Sequence, residues 1–156
     1  MTFRIVKFNH KIFLEEDTMK KFAKIAAVAL VVVLSLAALV ACGPNSDPEK
    51  AISALKKNGY TAAKDDTVIP AALRLLGVKV DSVVTGTKTS GEGDNAKIDH
   101  VTIIYFASAD QAKENMSKIE EYAKKNDSDS NGSDWEIKQS GAMIYYGTKA
   151  GITAAR

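Results

Sequence analysis

The residues from position 48 to 156 predict a single α+β domain. Its mostly antiparallel sheet of four to five strands carries helices on one face, in two layers. Three observations carry this. Lys97 to Phe106 alternates, with Ile98, Thr102, Ile104 and Phe106 on one face and Val101, Ile103 and Tyr105 on the other. Trp135–Gln139 and Ala142–Gly147 flank Ser140-Gly141, the pattern of a β-hairpin. Between these strands, Ser108 and Gln111 form a capping box opening a helix with Ala112, Met116, Ile119 and Ala123 along one stripe.

The other elements follow in order. Asp47 stands at a helix N-cap with Pro48 at the first helical position, and Ala51, Ile52 and Leu55 give that helix one apolar face before Asn58-Gly59 stops it. Tyr60 to Ala63 is a short strand, and Lys64-Asp65-Asp66 a turn. Pro70 to Leu76 is a short apolar helix with Gly77 as its stop. Val78 to Thr87 reads as β, and the glycines and Asp94-Asn95 of Thr89–Ala96 make a hairpin loop. Apolar groups on both faces of Lys97–Phe106 mark a central strand. Lys124-Lys125 suit the C-terminal dipole of the capping-box helix, Asn126–Asp134 is a polar loop, and Lys149–Ala155 closes the chain as a short helix.

The segment before the domain has a different character. Lys20, Lys21 and Lys24 are followed by an apolar run from Ile25 to Val40, then Ala41, Cys42, Gly43 and Pro44. A positive n-region, an apolar core and small residues before a cleavage point describe a secretory signal over residues 19–41. The lone cysteine ends it, and Leu39-Val40-Ala41-Cys42 resembles the lipobox of bacterial lipoproteins. The resemblance implies cleavage before Cys42, a covalent diacylglyceryl lipid on its thiol, and a mature protein beginning there. Membrane attachment would then be through acyl chains at the extracytoplasmic face of the cell membrane. Residues 42–47 would form a lipid-anchored tether. The competing reading is one uncleaved transmembrane helix, but Asn45, Ser46, Asp47 and Pro48 follow where a stop-transfer sequence is basic. Residues 1–18 carry Glu15, Glu16 and Asp17 where a signal is basic, which points to Met19 as the translation start and to residues 1–18 as a misassigned upstream stretch. A cytoplasmic extension is the alternative.

Charge divides at the same cysteine. The 156 residues hold 21 basic and 19 acidic groups; residues 1–42 account for 6 and 3, so the 114 that follow hold 15 and 16, a net charge of −1. A slightly acidic domain lacks the basic footprint of nucleic-acid binding. With no cysteine after Cys42, the exported domain depends on packing rather than disulfides.

Candidate sites are few. Asp127, Asp129 and Asn131, with Gly132, match positions 1, 3, 5 and 6 of a calcium loop. Position 12 is Lys138 instead of a bidentate glutamate, so a solvated polar loop is the stronger reading and no metal is expected. His100 is the only histidine after Cys42; alone it cannot build a zinc site and is read as structural. Trp135, Tyr145 and Tyr146 are candidates for an aromatic surface that binds a peptide or glycan, against the competing role of core packing. Adjacent Tyr145 and Tyr146 point to opposite faces, which leaves at least one to be exposed. No residues with catalytic spacing appear, so none is assigned. The expected function is a non-enzymatic binding or accessory module of the cell envelope, with an envelope protein or glycan as partner and no cofactor beyond the lipid. The alternatives are a small ligand-binding lipoprotein serving a transporter or sensor, then an envelope hydrolase. In general style, and on no motif after Gly43, the domain is similar to small lipoproteins of Gram-positive bacteria.

Overall fold

The computed structural model describes residues 43–92 and 96–156. The signal segment, Cys42 and the tip of the hairpin loop lie outside them, as does the start-site assignment. The described chain runs α1 (Pro48–Lys57), β1 (Thr61–Lys64), α2 (Val68–Leu75), β2 (Ser82–Ser90), β3 (Lys97–Tyr105), α3 (Ala109–Asn126), β4 (Trp135–Ser140), β5 (Met143–Thr148) and α4 (Lys149–Ala154). Five strands form one antiparallel sheet in the order β1-β2-β3-β5-β4. The α+β class and the strand count are those the sequence predicts.

Local chemistry sets the element ends. Asp47 caps α1 by accepting from the Glu49 and Lys50 backbone N–H groups at 2.9 and 3.2 Å. At its other end Tyr60 N–H reaches the Leu55 carbonyl and Gly59 N–H the Lys56 carbonyl. That paired arrangement requires a left-handed residue, supplied by Gly59 at φ 80°. The same closure ends α2 around Gly77, with Val78 N–H on the Leu73 carbonyl. This explains why β2 begins at Ser82 and not at Val78: Val78 completes the helix cap. Ser108 caps α3 through the Gln111 N–H at 3.2 Å.

The helices pack on both faces of the sheet, where the sequence reading placed them on one. On the first face, α1 and α4 cover Val84, Val101, Ile103, Tyr105, Met143 and Tyr145. On the second, α2 and α3 cover Val83, Ile104, Ile144 and Tyr146. The physical reason lies in the central strands: residues 101–105 of β3 and all of β5 are buried on both sides, so each side needs a cover. β3 and β4 run parallel with β5 between them, and α3 is the crossover that joins them.

The residues after position 42 are not a free tether. Pro44 is buried. Asn45 N–H donates to the Ala155 carbonyl at 2.8 Å, and the Tyr105 hydroxyl donates to the Asn45 carbonyl at 2.8 Å. The Tyr145 ring lies so close to Gly43 that a Cβ there would stand 3.2 Å from it.

Candidate functional site

Among the described residues, one group of side chains brings together potential metal-holding or acid–base atoms: His100, Asp127 and Asp129. It sits at the sheet end where β3 and β4 begin and α3 stops. His100 lies on β3 beside Thr102 and Ile104 of the same register, so its ring points to the α3 face. Its backbone is held by Thr148, which accepts from the His100 N–H at 3.2 Å and donates to the His100 carbonyl at 3.3 Å. Gly147 and Gly151 let the turn from β5 into α4 approach this carbonyl; a Cβ at either would collide with it. Gly147 also adopts φ 135°, which side-chain-bearing residues rarely take.

Asp127 is the residue directly after α3, held by its own N–H on the Ala123 carbonyl at 2.8 Å. Its Oδ2 lies 2.7 Å from His100 Nε2 and accepts from Trp135 Nε1 at 2.8 Å. Its Oδ1 accepts from the Asp129 N–H at 3.0 Å. Asp129 Oδ2 lies 3.7 Å from His100 Nδ1, an ion-pair distance beyond hydrogen bonding. Asp127 and His100 are shielded, with side chains 11% and 17% exposed, and Asp129 is 54% exposed.

The geometry decides what this group does. One potential ligand atom from each of the three residues lies within 4.8 Å of the others, a spacing that could hold an ion. Here the two carboxylates face opposite nitrogens of one ring. Asp127 is within hydrogen-bonding distance of Nε2, whereas Asp129 is beyond that distance from Nδ1. The arrangement is therefore a clamp fastening the loop after α3 to β3. Further bonds tie that loop: Lys149 N–H on the Asp134 carbonyl at 2.8 Å, Lys149 Nζ on the Ser133 carbonyl at 3.0 Å, and Lys97 Nζ 3.5 Å from Asp134. For the calcium pattern, Asp127 and Asp129 do come together, but around His100. Asn131 is exposed on the loop, and the Glu136 carboxylate near the missing position is held by Lys138 at 2.7 Å.

The aromatic candidates separate. Tyr145 and Tyr146 are both buried, on opposite faces, which corrects the expectation that one is exposed. Each side of β5 has a helix layer that covers most of both rings, and Tyr146 contributes to the wall of a depression beside His100. Burial pushes both the Tyr146 and the Tyr105 hydroxyls above the ordinary tyrosine range. Trp135 is half-buried, with its ring 6.2 Å from that of Tyr146 and its N–H committed to Asp127.

Two open depressions lie on the α2–α3 side. One, about 400 Å³, runs beside His100 and is walled by Ile69, Thr85, Thr87, Ile98 and Tyr122. The other, about 440 Å³, lies between α2 and α3, walled by Ala72, Leu75, Leu76, Lys118, Tyr122 and Lys125. Leu75 is 90% exposed and Val68 72%, so α2 buries little beyond Leu73. The sequence predicts an apolar α2, and much of that apolar surface is left uncovered in the fold. The signal available was its apolar character all round in only two turns. The pairing of His100 with Asp127, 27 residues apart, left no signal in spacing.

No protein-family model, curated protein or solved structure matches this chain. Among the described residues, no helix is long and apolar enough to cross a membrane.

Proposed function

We propose that the chain is a lipid-anchored protein of the bacterial cell envelope, acting outside the membrane as a non-enzymatic binding or accessory module. The observation that carries this reading is the lipobox pattern Leu39-Val40-Ala41-Cys42, set immediately before the compact unit Gly43–Arg156. A domain that begins to pack within two residues of the cysteine fits a mature chain that starts there. The non-catalytic part rests on the sequence, in which no residues with catalytic spacing appear. Labelling cells with a palmitate analogue tests the anchor. Label is expected on the wild-type protein and absent from Cys42→Ala; equal labelling of both refutes the reading.

A second reading, a small ligand-binding lipoprotein serving a transporter or sensor, is favoured by the apolar-walled groove between α2 and α3. Its volume of about 440 Å³ falls within the range of small-molecule sites, roughly 300–1,000 Å³. Saturable binding of anilinonaphthalene sulfonate, lost in Leu75→Lys, supports it; non-saturable or unchanged binding removes it.

A further inference from the structure

We infer that the folded domain rests directly on the bilayer, with the β4–β5 turn facing the lipid and the His100–Asp127–Trp135 end facing away. This rests on the lipid-anchor reading above and adds an orientation to it. The carrying observation is the docking of residues 43–47. A lipoprotein whose first residues are free can drift and tumble at the length of its leash. Here the leash is absent. Pro44 is buried, Asn45 is bonded through its N–H to Ala155 and through its carbonyl to Tyr105, and Asp47 is the cap of α1. The Cys42 Cα is covalently about 3.8 Å from that of Gly43. Lipid on Cys42 must therefore leave the domain where Gly43 sits.

That place is defined. Gly43 lies beside the Tyr145 ring and Ser140, under the β4–β5 turn. Ser140 pairs with Met143, and Trp135 pairs with Thr148 at the opposite end of the same hairpin. Five residue steps at about 3.3 Å each separate the two ends by roughly 17 Å. The turn itself, Ser140-Gly141-Ala142, carries no charge, so approaching the headgroup layer does not strip water from an ion. The partner surface is thus the lipid bilayer, and the end left for any envelope partner is the one bearing the clamp.

The sequence supplies the probe, because Trp135 is the only tryptophan and lies at the distal end. Full-length protein is purified from membranes and reconstituted in phosphatidylcholine vesicles, with or without brominated acyl chains that quench nearby tryptophan. Intact mass is read first. Absence of the diacylglyceryl addition overturns the anchor reading itself, and the orientation with it. With lipid present, Trp135 emission is expected to be equal in both vesicle types, whereas W135F/Q139W, with its tryptophan beside the turn, is expected to lose emission in the brominated ones. A flexible Gly-Ser insertion between Cys42 and Gly43 is expected to restore that emission. Quenching of wild-type Trp135 overturns the orientation while leaving the anchor intact, and so does a folded W135F/Q139W that is not quenched. Circular dichroism of W135F/Q139W verifies the fold; if it is unfolded, the wild-type result decides.

Discussion

The two faces of the sheet are built from the same strands but sealed differently. On the first, α1 and α4 close over Ile103, Tyr105 and Tyr145, and the docked residues 43–47 fill the remaining edge. On the second, α3 seals its half with Ala112, Ile119 and Ala123, while α2 contributes little beyond Leu73 and leaves Val68, Leu75 and Leu76 in solvent. Depressions of about 440 and 400 Å³ open on that second side, and one of about 500 Å³ beside Asn58, Tyr60 and Ala150 opens on the first. The difference teaches that apolar content does not measure how firmly a helix is bound. The number of its residues that fit one face does.

The sharpest way to break this comparison is to delete equivalent side chains under the two short helices. Leu55 in α1 and Leu73 in α2 are both fully buried. Leucine-to-alanine truncation in a core costs about 2–5 kcal/mol, more where the surroundings cannot collapse. Leu55→Ala is expected near the top of that range and Leu73→Ala near the bottom, because the loosely held α2 can settle into the gap. Urea unfolding of both variants checks the order; a larger loss in Leu73→Ala breaks the contrast.

Next in size is the clamp on the second face. Asp127→Ala leaves His100 Nε2 and the Trp135 N–H without their shared acceptor, and an orphaned shielded donor costs about 1–3 kcal/mol. The expected loss appears in urea unfolding together with a change in Trp135 emission. Asp129→Ala, exposed and farther from the ring, is expected to cost less than 1 kcal/mol, as surface ion pairs do. Equal losses in the two variants would show that the two carboxylates contribute alike.

How much of this was legible in the sequence follows from the physics of each feature. Element identity was legible because alternation in β3, the hairpin at Ser140-Gly141 and the caps at Asp47 and Ser108 are local. The side of the sheet each helix takes was not. An amphipathic stripe says that a helix is covered, and the crossover geometry decides by what. The clue lay in β3, whose apolar residues on both faces call for two covers. Asp127 and Asp129 were legible as a pair, but as part of a calcium loop; their partner His100 comes from a strand 27 residues earlier and could be joined to them only by the fold. Residues 43–47 read as a tether because a Gly-Pro-Asn-Ser composition is that of a loop, and composition carries no information about Tyr105 reaching Asn45.

On the first face that reach gives a smaller prediction. Tyr105 is a neutral donor to the Asn45 carbonyl, and burial, with Asp47 adding a lesser electrostatic push, raises its hydroxyl above the ordinary value of 10.0. A raised acid contributes stability that is complete below the unfolded pKa and is lost as pH rises beyond it. Tyr105→Phe removes the bond, at a cost of about 0.5–1.5 kcal/mol. It is also expected to flatten part of the fall in stability above pH 10. Urea midpoints at pH 8 and pH 10.5 measure both effects, and an unchanged alkaline slope removes Tyr105 as its source.

The smallest effect belongs to the cap of α2 and refines why that helix stays in place with so few buried residues. Asp65 accepts from the Thr67, Val68 and Ile69 backbone N–H groups at 2.9, 2.9 and 3.0 Å. Burial acts to raise its carboxyl, but the N–H groups of Ile69, Thr67 and Val68 and the Thr67 hydroxyl outweigh it, so the group lies below its ordinary 3.8. The folded state then holds the carboxylate ionised where the unfolded chain takes up a proton. Its contribution is complete above pH 4 or so, and is lost as pH falls through the depressed value. Asp65→Asn keeps an acceptor oxygen but cannot titrate, so it is expected to cost under about 1 kcal/mol at neutral pH. It should cost nothing further in acid, so the gap to wild type closes as pH falls through the depressed value. Amide hydrogen exchange in α2 reads this locally: faster exchange at pH 7 in Asp65→Asn with α1 unaffected ties the cap to the second face. Equal acceleration in α1 would mean that the two covers unfold together, and the contrast between the faces would then hold for packing alone.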